Sequence, residues 1–192
     1  VMGLADEFTV EMAQNVMQIG DAADLLAALT GQNAFVRRLP DGVTYRFHHM
    51  MKECALRVFL TLPQERRNDC RRRFGAWYEQ HRQYLHAMHA YYQSGDYHAL
   101  LRVVQQDAGI LLSSLDPKNV LDFLDECPED TLKAHPAALL VLMRSMFNWR
   151  NIPRMQELRQ LLLTAIDEDP QRSAEERGNL LGECDLIMSF LC

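Results

Sequence analysis

The chain has 192 residues, 48% hydrophobic and 24% charged, with only 7 prolines and 9 glycines, a balance that excludes disordered and fibrous classes and fits a helical globular protein. Its net charge of −6 hides a dipolar layout: residues 37–82 carry 11 Lys and Arg against 5 Asp and Glu, a balance of +6, while the remainder carries −12. Five cysteines without a Cys-x-x-Cys point to neither a disulfide framework nor a zinc site, and with no apolar run of about 18 residues and no leader-like start, a cytoplasmic protein is expected.

In chain order, Thr9 caps a helical segment through Met17, and Asp21-Ala22-Ala23-Asp24 opens Leu25-Leu26-Ala27-Ala28-Leu29 as an acidic variant of the capping box. Ala34 to Leu39 alternates, Pro40-Asp41-Gly42 turns the chain, and Tyr45 to Met51 returns it, so the two arms predict a hairpin. Met51, Leu56, Val58, Phe59 and Leu62 then recur near a 3.6-residue period until Pro63 stops them. Helix, helix, two-strand wing, helix is the order of a winged helix.

Beyond Pro63 the pattern is helices in pairs: Gln64 to His81 with Gln83 to Gln93, stopped by Ser94-Gly95; His98 to Leu112 with Pro117 to Glu126; Ala137 to Arg150 with Asn151 to Asp167; and Ser173 to Leu191. No other strand is expected. Phe74-Gly75-x-x-Tyr78 followed by Ala87-x-x-x-Tyr91-x-x-Ser94 matches tetratricopeptide spacing, in which small residues let two helices approach and aromatics fill the gap. Arg71 stands where that repeat has Trp, so the match is partial. The fold class expected is mainly all-α: a truncated winged helix with a small β-hairpin wing over 1–62, followed over 63–192 by a tetratricopeptide-like right-handed α-superhelix.

Over Ala23 to Leu29, Asn33 to Val36 and Tyr45-Arg46-Phe47-His48-His49, the chain resembles the MalT-like ATP-dependent transcriptional regulators of the LuxR superfamily and STAND class. The resemblance implies a signal-sensing and regulatory fragment, cut in its first winged-helix helix and within its last apolar helix. No Gly-x-x-x-x-Gly-Lys-Ser/Thr loop is present. The fragment itself is therefore expected to hold no cofactor, with ATP or ADP bound by an upstream ATPase domain of the same protein. DNA would be read only by a C-terminal module outside it. The resemblance further implies that His48 touches the nucleotide's β-phosphate in the full-length protein, a task a ring N–H can perform. The competing reading of His48 is a helix-start histidine bonded to local carbonyls.

No catalytic dyad is legible, so no enzyme is expected. His81, His86, His89 and His98 lack the carboxylates or cysteines of a metal-ligand spacing, so no metal is expected either. The candidate recognition helix, Ala22 to Thr30, is acidic and apolar and offers no side chain to read base edges. The basic strip would instead face nucleotide or an acidic surface of the ATPase domain. A small-molecule or protein inducer is expected on the inner wall of the superhelix, where Arg73, Glu79, Gln105, Arg144 and Asn148 are the candidate polar contacts. The rival reading is a stand-alone tetratricopeptide-like interaction adaptor.

Overall fold

Local chemistry sets the first elements. In the computed structural model, which describes residues 2–31, 35–107, 110, 112 and 115–190, a 3₁₀ turn at Met2–Leu4 leads into strand β1, Phe8–Thr9. Thr9 then caps helix α1, Val10–Met17, its hydroxyl oxygen accepting the Met12 N–H. Helix α2, Ala22–Gly31, follows, with the Asp21 carbonyl accepting the Leu25 N–H.

The wing closes around Asp41. One carboxylate oxygen accepts the N–H groups of Val43 and Thr44, both at 3.0 Å, while Gly42 takes a left-handed φ of 73°. Strand β2, Val36–Arg38, thereby pairs antiparallel with β3, Thr44–Phe47, in the register Val36↔Phe47, Arg37↔Arg46 and Arg38↔Tyr45. Asn33 and Ala34, also expected in this segment, lie outside the described residues.

The wing has three strands rather than two. β1 pairs with the far side of β3, Phe8 opposite Tyr45, giving the order β1-β3-β2. A two-residue strand is too short to show alternation, and only burial identifies it: Phe8 is enclosed, its ring 5.0 Å from that of Phe47. Helix α3, His49–Thr61, buries Phe59 alone. Two further helices, α4 (Gln64–Gln80) and α5 (Tyr84–Ser94), form the first antiparallel hairpin.

The chain divides into two compact units, Val1–Gly95 and Asp96–Cys192. The α4–α5 hairpin, assigned on sequence to the superhelix, shares the core of the first unit: Cys70, Phe74, Trp77 and Ala90 pack in one cluster with Phe8, Met12 and Val16. A polar tie reinforces this seam. Arg73 donates to the Val16 carbonyl at 2.8 Å, placing its charge at the carboxyl end of α1, where the helix dipole favours a cation.

The second unit holds α6 (Tyr97–Asp107), α7 (Pro117–Glu126), α8 (Glu129–Lys133), α9 (Pro136–Asn148), α10 (Ile152–Asp167) and α11 (Ala174–Ser189). Helix α9 is central, burying Leu139, Leu142, Met143 and Met146 between α6, α10 and α11. The short helix α8 is absent from the expected pairs; Glu129 and Asp130 open it, both acids sitting in a first helical turn where the dipole stabilises them. α6 is described only to Asp107, residues 108, 109 and 111 of the expected helix lying outside the described residues. Ser173 and Glu176 build a full capping box that starts α11, and Leu191 lies outside the described residues. Among the described residues, no helix is long and apolar enough to cross a membrane.

Two hairpins close through the same turn. Arg82 and Arg150 both adopt φ 57°. The Arg82 N–H donates to the Glu79 carbonyl and that of Gln83 to Tyr78; Arg150 and Asn151 repeat the pattern onto Phe147 and Met146. The two turns lie 68 residues apart, and at that offset buried positions coincide: Phe74 with Leu142, Ala87 with Met155, Ala90 with Leu158 and Ser94 with Leu162. The first hairpin is a glycine–aromatic version of this design. A Cβ on Gly75 would lie 2.6 Å from the Tyr91 ring.

Candidate anion site at the wing

Five basic or imidazole side chains meet where the wing ends. His48 lies between β3 and α3, its N–H donating to the Phe35 carbonyl at 2.6 Å and its extended backbone forming the N-cap of α3. The ring makes no capping bond and is exposed. One helical turn on, Lys52 donates its N–H to the His48 carbonyl at 3.0 Å, which brings its ammonium to the same side. Arg37 and Arg46 stand directly opposite each other across the hairpin, so both point to one face.

These groups, with Asp6, Phe35, Val36, Phe47 and His49, line an open cleft of about 710 Å³. Arg46 pairs with Glu7, and Lys52 with Asp6. The hydrogen bond from Lys52 and its charge hold the Asp6 carboxyl below its ordinary range. Phe35 is unusual. It carries φ 80°, a region costly for a side-chain-bearing residue, and leaves its ring 52% exposed at the cleft wall.

The five candidate inducer contacts are placed differently. Arg73 spends its guanidinium on the Val16 carbonyl and on Asp69 at 2.6 Å, and Glu79 accepts the Tyr91 hydroxyl at 2.7 Å; both belong to the first unit. Gln105, Arg144 and Asn148 are exposed in the second unit, the last two one turn apart on α9. None of the five lines the wing cleft. A second cavity, of about 530 Å³, lies between Pro136 and Ala137 of α9 and the start of α11, and includes none of the five. Its charged groups are satisfied internally, Arg172 by Asp169 and Glu176 by Ser173.

The histidines do not converge on a metal. His81 Nδ1 lies 2.8 Å from the Trp77 carbonyl, His89 pairs with Gln93, and His86 packs on Tyr78. His98 Nδ1 lies 3.1 Å from Nε2 of His135, a contact between α6 and the N-cap of α9 that no sequence pattern announces. Among the described residues no group of three or more His, Cys, Asp or Glu gathers.

α2 exposes Leu25 and Leu29, and α3 exposes Met50, Leu56, Val58 and Leu60. No curated protein and no solved structure matches the chain. Residues 2–68, which contain all three strands, helices α1 to α3 and every residue of the cleft, match the family model of the MalT winged helix domain.

Proposed function

We propose that this chain is a signal-sensing, regulatory segment of a MalT-like, ATP-dependent transcriptional regulator of the LuxR superfamily and STAND class. The observation that carries the reading is the coincidence of the MalT winged helix match with a cationic cleft at His48. In the full-length protein this cleft meets the phosphates of ATP or ADP held by an ATPase domain. The exposed apolar residues of α2 and α3 supply the contact with that domain. The helical hairpins receive a small-molecule or protein inducer, DNA is read by a separate module, and the protein works in the cytoplasm.

His48→Ala in the full-length regulator tests this. Losing one charge-assisted contact costs roughly 1.5–3 kcal/mol, so the ADP-held resting state weakens and reporter transcription without inducer rises about tenfold or more. Unchanged basal transcription would reduce His48 to a helix-start residue. The adaptor reading retains one specific support, the tetratricopeptide-type packing of Gly75 against Tyr91.

A further inference from the structure

We propose that the wing cleft is a polyphosphate site regulated by an internal counter-anion: Asp6 and Glu7 hold two of its cations, and a bound polyphosphate has to displace them. The proposal rests on the reading of the cleft as a phosphate-contacting site and adds its control.

The ligand class follows from the lining. Arg37, Arg46 and Lys52 are donors that carry no acceptor, His48 and His49 offer ring N–H groups, and among the described residues Asp6 is the one carboxylate on the wall. A set so rich in donors suits a ligand that presents several anionic oxygens at once, and the planar arginine forks match phosphate geometry. Arg37 and Arg46 stand opposite each other, an arrangement of like charges that a nearby anion relieves.

That anion is at present internal. Glu7 accepts from Arg46 across 39 residues of sequence, and Asp6 accepts from Lys52 across 46. The link carrying both acids is fixed at each end, because Ala5 and Phe8 are each 2% exposed, while the Asp6 side chain is 88% exposed. The backbone therefore stays in place while the carboxylates are free to swing into water. Exposed ion pairs of this kind resist opening only weakly. A diphosphate engages Arg37, Arg46 and Lys52 together, whereas each carboxylate holds a single cation. The two acids thus set the affinity threshold of the cleft without blocking it.

Calorimetric titration of pyrophosphate into the 192-residue chain is the test, with circular dichroism confirming that each variant is folded. Asp6→Asn with Glu7→Gln should tighten binding roughly tenfold, and Asp6→Asn alone about threefold. Arg46→Gln with Lys52→Gln should abolish it. Asp21→Asn with Asp24→Asn makes the same charge change on α2 and should leave affinity unmoved; equal tightening there overturns the proposal, since the effect is then general electrostatics. If the wild type and the Asp6/Glu7 variant bind equally and the Arg46/Lys52 variant does not bind, the counter-anion role is refuted while the anion site stands. If no variant binds pyrophosphate or ADP, the site itself is refuted. Binding of ADP at least as tight as that of pyrophosphate supports a nucleotide tail beside Phe35 as the source, and binding of pyrophosphate alone supports free polyphosphate.

Discussion

Replacing Gly75 by Ala measures how closely α4 and α5 approach. The added Cβ would lie 2.6, 2.7 and 2.9 Å from three ring carbons of Tyr91, about 1 Å inside the 3.5–4.0 Å optimum for carbon contacts. The ring has no room to retreat: Tyr91 is buried, and its hydroxyl is held 2.7 Å from Glu79 on the helix that carries Gly75. Overpacking of this kind costs about 1–3 kcal/mol. Against that, Ala in a helix interior gains about 1 kcal/mol over Gly. The comparison that isolates the clash is Gly178→Ala in α11, where nothing lies within 4 Å of the new methyl and only the propensity gain should appear. The two substitutions should therefore differ by about 1–3 kcal/mol, Gly178→Ala being the more stable. Urea unfolding reads this directly. The two tryptophans, Trp77 and Trp149, lie in different units, so a Trp149→Phe background makes Trp77 fluorescence report the first unit alone, and a Trp77→Phe background makes Trp149 fluorescence report the second. Tyr91→Leu should shrink the Gly75→Ala penalty by removing the obstructing ring. Equal stabilisation by Gly75→Ala and Gly178→Ala would refute the close approach.

Acid should weaken the second unit as pH falls below the ordinary histidine pKa. Burial, with the charges of His98 and Arg102, holds the His135 pKa below its ordinary value. The folded value thus lies below the unfolded one, so this stabilisation is complete above the unfolded pKa and is lost as pH falls through the folded one. His135→Gln should flatten the pH dependence of the urea midpoint, and an unchanged slope would place the effect elsewhere. Arg82 and Arg150 hold a left-handed backbone that costs an L-residue about 1–2 kcal/mol, less the roughly 0.5–1 kcal/mol of entropy that Gly loses. Arg150→Gly should accordingly raise the melting temperature by a few degrees, and a lower one would show that the exposed arginine side chain makes a needed contact.

Legibility from sequence followed the range of the interactions. The Asp41-Gly42 turn of the hairpin, the Thr9 cap and the Gly95 stop were readable because each rests on bonds within four residues. Gly75 opposite Tyr91 was readable because tetratricopeptide spacing encodes a contact across a single hairpin. β1 was not, since two residues carry no period and its partner is remote in sequence. The position of His48 followed from element order, and Arg37, Arg46 and Lys52 were visible as members of a basic strip. Their convergence with Asp6 and Glu7 was hidden, because charge counting along a chain does not register pairs closed by folding. The His98–His135 contact was hidden for the same reason.

The shared turn at Arg82 and Arg150 makes the closed end of each hairpin a datum from which growth is measured. In the first hairpin the arms are 17 and 11 residues long, in the second 13 and 16, yet the same heights above the turn are buried in both. Length has varied at the open ends, where adding or trimming a turn leaves the facing ridges in step. An insertion at the closed end would instead rotate one arm against the other. Residues appended to the open end of α9 or α5 should therefore be tolerated, and loop exchange between the two closed ends should preserve register.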